Sequence, residues 1–379
     1  MIHQPSVEAA LRRSLAACTN AKLQSQCELL SFVDEGDCVA AQIDTPEGKR
    51  TIRARYLVGA DGARSPVREA SGIVFEDLNF EEPWLVVDVL VDDYARLPSE
   101  NLQICNPERP TTCVLMGEGR HRWEFMIKPG ETAEQVSDDV FIEKLLEPWN
   151  VNGAVRMERK AVYTFRARIA SQWRKGRILL AGDAAHQTPP FAGQGMCSGL
   201  RDSANLAWKL AAVVNGEAND ALLDSYQPER APNLRATIDM AIMMGKMVCI
   251  TSKWGAFLRD IKFKLARALG KLPDGPPEYP PLSTGVILAG SAGAGRYFPQ
   301  VVADDGRRMD DQIGSDHCIV SRDDMANAEF APFAEPLRAW FDRHSAEAVL
   351  IRPDRYVFGT GDVDQLRDAW QVATGLRSI

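Results

Sequence analysis

The sequence predicts a mixed α/β fold of the α+β kind, and three observations carry that reading. Two short apolar strands, at residues 56–59 and 178–181, each run through a Gly/Asp turn into a helix. Between them, residues 84–128 are strand-rich with no helical pattern, which predicts an antiparallel sheet. A Pro-rich linker at residues 273–281 then precedes a smaller C-terminal unit.

The elements follow in order. Residues 7–17 have a helical pattern. Short alternating runs come next at 29–33, 39–43 and 51–58. They are separated by Asp34-Glu35-Gly36-Asp37 and Thr45-Pro46-Glu47-Gly48-Lys49, the composition of hairpin turns. After Ala60-Asp61-Gly62-Ala63-Arg64-Ser65, a helix is predicted with Pro66 in its first turn, where a missing N–H is tolerated. Strands are predicted at 84–91, 102–105, 112–116 and 122–127. Residues 132–149 read as a helix, with Glu131 and Glu134 near its start favouring the dipole. Residues 162–166 return as a strand, and 178–181 form a buried one. In residues 196–214, Leu200, Ala204, Ala207, Ala211 and Val214 recur at helical spacing. Helical segments continue from about 219 through Tyr226 to about 250, and over 252–269. Beyond the linker, 319–321, 328–343, 348–352, 356–359 and 363–374 read as strand, helix, strand, strand, helix.

Composition narrows the function. The 379 residues are 45% apolar and 25% charged, enough for two or three domains with a sizeable core. A net charge of −8, with no basic run interleaved with aromatics, argues against a nucleic-acid surface. The N-terminal residues show no secretory signal, and no run of about 18 apolar residues predicts a membrane span. Residues 238–250 are apolar and Met-rich but interrupted by Asp239 and Lys246, which predicts a core helix or the wall of an apolar pocket. The eight cysteines form no Cys-x-x-Cys pair and the five histidines are dispersed. Reduced thiols in a cytoplasmic protein, and no metal site, are expected.

The chemistry concentrates in Gly182-Asp183-Ala184-Ala185-His186-Gln187-Thr188-Pro189-Pro190-Phe191-Ala192, running into Gly193-Gln194-Gly195-Met196. An acidic residue at a strand end offers a fixed carboxylate that can hold a sugar hydroxyl. A Gly-rich helix start offers free N–H groups and a positive dipole end that can hold an anion. Taken singly, each feature also serves as a turn or a packing device. Together they describe a nucleotide-cofactor site.

This joint pattern resembles the second FAD motif of the flavin-dependent aromatic hydroxylases, the p-hydroxybenzoate hydroxylase-like family. The resemblance implies that Gly182 and Asp183 meet the ribitol or ribose region of FAD. It also implies that Pro190, Gly193, Gln194, Gly195 and Met196 lie along the isoalloxazine ring. Tyr56-Leu57-Val58-Gly59-Ala60-Asp61-Gly62-Ala63-Arg64-Ser65-Pro66-Val67-Arg68 resembles the family's Asp-Gly motif. That likeness puts Asp61, Gly62, Ser65 and Arg68 by the FAD pyrophosphate and implicates them in nicotinamide use. A narrower likeness, to the 3-(3-hydroxyphenyl)propionate hydroxylases, rests on Trp123-Glu124-Phe125-Met126-Ile127-Lys128-Pro129-Gly130-Glu131, Pro190-Phe191-Ala192-Gly193-Gln194-Gly195-Met196-Cys197, Gly199-Leu200-Arg201-Asp202, Asn205-Leu206-Ala207-Trp208-Lys209-Leu210 and Ala236-Thr237-Ile238-Asp239-Met240. Arg352-Pro353-Asp354-Arg355-Tyr356-Val357 resembles the C-terminal thioredoxin-like domain of the phenol hydroxylase branch. Without a redox Cys pair, dimerisation or scaffolding is the expected role there.

The family's opening Gly-x-Gly-x-x-Gly, which cradles the FAD diphosphate, does not occur in this sequence. The expectation is therefore a truncated three-layer FAD-binding domain made of residues 1–80 and 171–272. A substrate-binding sheet domain at 81–170 and a linker plus thioredoxin-like unit at 273–379 complete it. The implied reaction is ortho-hydroxylation of a phenol, 3-(3-hydroxyphenyl)propionate or a close relative, through a C4a-hydroperoxyflavin. It uses FAD, NADH or NADPH, and O2. His186 is a candidate for a backbone hydrogen bond near the flavin. His121, Arg122 and Tyr163 are candidates to meet a phenol or carboxylate, and Arg122 and Arg166 to anchor a carboxylate. Three alternatives stay open: an inactive remnant that holds FAD weakly, a hydroxylase of resorcinol, phenol or polyketide substrates, and a different oxidation on the same scaffold.

Overall fold

A computed structural model describes residues 3–117, 119–271 and 279–376. The predicted linker residues 273–278 lie outside the described residues. The chain opens with α1 (Gln4–Ala16) and an antiparallel meander of β1 (Glu28–Asp34), β2 (Val39–Thr45) and β3 (Gly48–Ala54). The single strand expected at 51–58 is two. Between β3 and β4 (Leu57–Gly59) the chain leaves the meander for a different sheet. α2 (Pro66–Ala70) follows, capped by the Ser65 hydroxyl, which accepts from the Arg68 N–H.

Next come β5 (Phe75–Val91), β6 (Leu102–Ile104), β7 (Thr111–Gly117), β8 (Arg120–Met126), α3 (Ala133–Val136), α4 (Asp139–Leu146) and β9 (Val155–Ala170). The helix expected at 132–149 is thus broken in two. Asp138 starts a new helix there, its carboxylate accepting from the N–H groups of Val140 and Phe141. β10 (Arg174–Lys175), β11 (Ile178–Leu180) and β12 (His186–Gln187) lead to α5 (Gly195–Val214), α6 (Tyr226–Val248) and α7 (Lys253–Ala268). α8 (Met309–Ile313), β13 (Cys318–Ser321), α9 (Ala334–His344), β14 (Ala348–Ile351), β15 (Val357–Gly361) and α10 (Val363–Thr374) close the chain. Among the described residues no helix is long and apolar enough to cross a membrane.

Two sheets position the site. In the first, β4 and β11 pair in parallel, Leu57 opposite Ile178 and Gly59 opposite Leu180, with β10 on the far edge of β11. The second has six strands in the order β12-β9-β5-β8-β7-β6. Its central strand β5 alternates faces. Leu85, Val87 and Val89 pack with Trp123, Phe125 and Ile142. Trp84, on the opposite face, packs with Met126 and with Val248 of α6. The C-terminal sheet, order β13-β14-β15, is antiparallel throughout. Its middle strand also serves two cores. Val349 and Ile351 face that unit's own interior, whereas Ala348 and Leu350 join the core that includes β11, α5 and α6. Trp370 of α10 stacks on Trp208 of α5 with ring centroids 5.7 Å apart. The smaller unit is therefore packed into the larger one.

α6 carries Pro232 in its interior. Proline has no N–H to give the carbonyl four residues earlier. That carbonyl, of Pro228, accepts instead from the Thr284 hydroxyl at 2.7 Å. The buried face of α6 also holds two charged neighbours, Glu229 and Arg230, both fully buried. Arg230 Nε donates to Asp202 of α5 at 2.9 Å. Glu229 lies 2.8 Å from the Lys209 ammonium and accepts from Arg352 at 2.7 Å. Burial opposes ionisation of Glu229, but Arg352 and Lys209 outweigh it and hold the carboxyl at about 2. Burial pushes the Lys209 ammonium the other way, down to about 8, against the pull of Glu229.

Acid should expose this arrangement. A carboxyl held below its unfolded value adds stability above that value and loses it as pH falls through the folded one. For Glu229 the window runs from 4.5 down to about 2. Thermal midpoints measured by circular dichroism should fall across that window, and Glu229→Gln should be less stable at neutral pH with a shallower acid slope. An unchanged slope in the variant would remove Glu229 from the acid response.

Candidate cofactor site

β4 and β11 run side by side, so the segments after them emerge at the same sheet edge. The Ala181 N–H donates to the Gly59 carbonyl at 3.0 Å and extends the pairing to the start of both turns. Gln187 Nε2 then donates to the Ala63 carbonyl at 3.3 Å. The two motifs read from sequence are thus joined in space. The edge outside the carboxyl ends of parallel strands is where open α/β sheets bind ligands.

Of the first motif, Asp61 and Gly62 face outward. The Asp61 carboxylate accepts from the Val67 N–H at 3.0 Å, which shapes the turn into α2. Ser65 and Arg68 are buried. Ser65 is spent as the cap of α2. The Arg68 guanidinium donates to Ala63 O at 3.1 Å and lies 4.0 Å from the centre of the Phe75 ring. Both side chains hold the loop from behind.

Of the second motif, Gly182 and Asp183 open a short turn after β11. The Asp183 side chain is open to solvent. Neighbouring atoms still strip part of the water from its carboxyl, and this desolvation raises the pKa while nearby His186 opposes it. Pro190-Phe191-Ala192 form a second tight turn that ends on Gly193 in the left-handed region, φ 64°. Gln194, mostly buried, precedes the first turn of α5, and its Oε1 accepts from Arg201 Nη2 at 3.2 Å. Gly195 and Met196 form that first turn, where backbone N–H groups have no partner within the helix. Three features suit a large polar ligand here. Cβ atoms at Gly62 and Gly193 would meet nothing within 4 Å, so backbone is open to close approach. His186 Nδ1 and Thr188 Oγ1 are buried without a hydrogen-bond partner among the described residues. Asp183, with no hydrogen-bond or ion-pair partner among the described residues, stands in the turn packed against α5. FAD fits this donor and acceptor set.

The support beneath the turn was not legible in the motif. His186 does not bond to backbone as expected. Its Nε2 donates to Asp202 Oδ2 at 2.5 Å. The same oxygen accepts from the Gly182 N–H at 3.2 Å, and Arg230 holds the other oxygen. His186, Asp202 and Arg230 are all fully buried. Burial alone would raise the Asp202 pKa, but His186 and Arg230 together lower it, so the carboxylate stays ionised. Asp202, Asn205 and Lys209 sit on the α5 stripe that also buries Leu206 and Val213. Charged residues on an apolar stripe were the available signal.

The aromatic side chain of the second turn reaches the large sheet. Phe191 lies 5.9 Å from Phe80, 5.6 Å from Trp84 and 6.0 Å from Phe165, ring centre to ring centre and edge to face. Register places Tyr163, Met126 and Trp84 on one face, with Glu124 and Val86 next along it. The other candidates for substrate contact fare differently. His121 is on the opposite face, buried 4.3 Å from Trp123 with its pKa pushed down to about 4 by burial, so it cannot meet a ligand on the Trp84 face. Arg122 is held bidentately by Asp88 at 2.6 and 3.0 Å, and Arg166 donates to Glu81 at 3.0 Å. Both guanidiniums are thus paired with a carboxylate of the sheet, while Arg166 Nε has no hydrogen-bond partner among the described residues. Tyr163 accepts from Arg159.

Gly245 of α6 makes the Phe191 contact possible. A Cβ there would lie 2.8 Å from both the Phe191 and Phe80 rings. Gly245→Ala should gain about 1 kcal/mol of helix propensity but lose about 1–3 kcal/mol to overpacking. Urea unfolding should show a net loss of stability, with altered near-ultraviolet circular dichroism from the displaced rings. A more stable variant with an unchanged spectrum would contradict this packing.

Comparison with known proteins agrees with the geometry. The FAD binding domain family matches residues 1–241, and the HcaD C-terminal domain family matches residues 333–374. A protein of Burkholderia cenocepacia named 3-(3-hydroxy-phenyl)propionate/3-hydroxycinnamic acid hydroxylase is 35% identical over 95% of this chain and 76% of its own length. One of Rhodococcus jostii, named Probable NADH-specific resorcinol 4-hydroxylase, is 34% identical over 98% of this chain and 75% of its own. Among solved structures, aklavinone-11 hydroxylase with FAD and aklavinone superposes with a TM-score of 0.74 at 23% identity, over 98% of this chain and 77% of that one. With the paired strand-end motifs, these matches show that the chain belongs to the FAD-binding family of flavin-dependent aromatic monooxygenases.

Proposed function

We propose that this chain holds FAD along the edge formed by Asp61-Gly62, Gly182-Asp183 and the N-terminus of α5, and ortho-hydroxylates a phenol lying between the Phe191 turn and the Trp84 face of the sheet. Residues 1–80 and 171–272 then serve the flavin, 81–170 the substrate, and 273–379 the scaffold. The single observation that carries this reading is that two motifs distant in sequence meet at one parallel-strand edge. Ser65 and Arg68 shape the pyrophosphate loop from within. Asp183 orients a flavin hydroxyl. The α5 dipole stabilises negative charge at Gly193, Gln194, Gly195 and Met196. FAD, when bound, supplies electron transfer from NADH or NADPH and the activation of O2.

The chain's own residues position the substrate ring and handle its proton. Phe191, Trp84, Phe165 and Met126 offer an apolar wall that orients an aromatic ring and excludes water. A phenol becomes nucleophilic on losing its proton. Glu124, on the same sheet face, is mostly buried, and burial raises its carboxyl pKa against the pull of Arg122. Glu124 and Glu82, the latter also raised by burial and on the Trp84 face beside Phe165, are the carboxylates suited to accept that proton. A 3-(3-hydroxyphenyl)propanoate is the first substrate reading, carried by the Burkholderia likeness. A phenol without a carboxylate, as in the resorcinol relative, is the second, favoured by Arg122 and Arg166 being already paired.

Coupled oxygen uptake and product analysis across a phenol panel test the activity. NADH and O2 should be consumed in step with formation of a catechol. NADH oxidation without a hydroxylated product would favour a damaged enzyme in which flavin reduction is uncoupled from hydroxylation, and no NADH oxidation at all would favour an inactive remnant. Turnover only of phenols that lack a carboxylate would select the second substrate reading. At the flavin, Asp183→Ala should weaken FAD binding about ten- to a hundredfold, the worth of one charged hydrogen bond of about 1.5–3 kcal/mol. Fluorescence titration with an unchanged dissociation constant would take Asp183 out of the site.

A further inference from the structure

The C-terminal unit sends two buried charged side chains into the half of the chain that carries the strand-end motifs. Arg352 and Asp354 stand in the connection between β14 and β15, Arg352 wholly enclosed. Arg352 Nε and Nη2 donate to the two Asp354 oxygens at 2.9 and 2.7 Å. Nη2 also donates to Glu229 Oε2 at 2.7 Å, and Nη1 to the Val286 carbonyl at 2.8 Å. Asn205 Nδ2 bridges Glu229 Oε2 and Asp354 Oδ2 at 2.7 and 2.9 Å.

These contacts share two helices with the support of the flavin turn. On α5, Asn205 and Lys209 meet the C-terminal unit's network, while Asp202, one turn earlier on the same stripe, holds Gly182 and His186. On α6, Glu229 belongs to the first group and its neighbour Arg230 to the second.

We propose that Arg352 is a positioning residue for the flavin turn. Through Glu229 and Arg230 it fixes the α5–α6 pair so that Asp202 holds Gly182 and His186 in register. The inference rests on the flavin reading of that turn. Without the Arg352 cation, Glu229 and Asp354 share Asn205 in a buried space, with Lys209 as the cation left beside Glu229 among the described residues. Removing one member of a buried ionic group leaves an uncompensated charge. Relief comes from moving the helices apart, and Arg230 moves with Glu229.

The test compares Arg352→Met, Arg352→Lys and Val349→Ala. The last lies in the C-terminal unit's own core and weakens that unit without touching the network. FAD dissociation constants are read by fluorescence, and backbone hydrogen exchange of residues 182–187 is read without FAD. Arg352→Met should raise the FAD dissociation constant about three- to thirtyfold and speed exchange at 182–187. Arg352→Lys should recover part of both effects, and Val349→Ala should produce neither. If Arg352→Met does not fold, Arg352→Lys, which keeps a cation beside Glu229 and Asp354, takes its place, with a smaller rise in the FAD dissociation constant and faster exchange at 182–187 expected against the unaltered chain. Unchanged affinity and exchange, or equal effects from Val349→Ala, would overturn the proposal. Should the unaltered chain bind no FAD, the flavin reading fails, and exchange at 182–187 alone decides whether Arg352 positions the turn.

Discussion

The Asp202 carboxylate is the point on which the cofactor half of this molecule turns. It sits in the interior, where an isolated charge is expensive, and it is fully engaged. One oxygen receives the Gly182 N–H and His186 Nε2, the other receives Arg230. Gly182 begins the turn that carries Asp183, and His186 begins the strand that joins that turn to the large sheet. A single carboxylate thus ties the end of a parallel strand, an edge strand of another sheet and two helices. Apolar packing of the same volume often matches a buried ion pair in stability. What it lacks is direction. The ionic contacts specify one rotation of α5 against α6, and the N-terminus of α5, part of the proposed site, depends on that rotation.

The large sheet meets this half through aromatic rings. Phe191 leaves the turn before α5 and packs on Phe80, Trp84 and Phe165. Gly245 leaves room for it. A cofactor edge and an aromatic-walled sheet face are thereby held at a fixed spacing by contacts a few ångströms wide. That arrangement suits a reaction in which the protein orients a ring and keeps water away.

Much of this was legible in sequence, and the failures have physical causes. The strand-turn-helix units around Asp61 and Asp183 are local patterns of apolar run, glycine and helical periodicity, so they were found. β5 and β9 proved far longer than the apolar runs within them. Their missing portions carry charges paired across strands, Arg166 with Glu81 and Arg168 with Asp77, and such ladders have no apolar alternation to detect. The split at residues 55–56 was hidden because both halves read as extended. The ionic network was invisible because Asp202 pairs with Arg230, and Glu229 with Arg352, across long stretches of chain. The Pro-rich linker suggested a separate unit, yet Leu350 and Trp370 pack in the core of the flavin half.

The central claim is that two strand-end motifs form one flavin site. Hydrogen exchange measured with and without saturating FAD tests it most directly. The account predicts slower exchange on FAD addition in residues 59–68 and 181–199 together, with little change around His121 on the far face of the large sheet. Protection of only one motif, or protection confined to regions away from both, would contradict it.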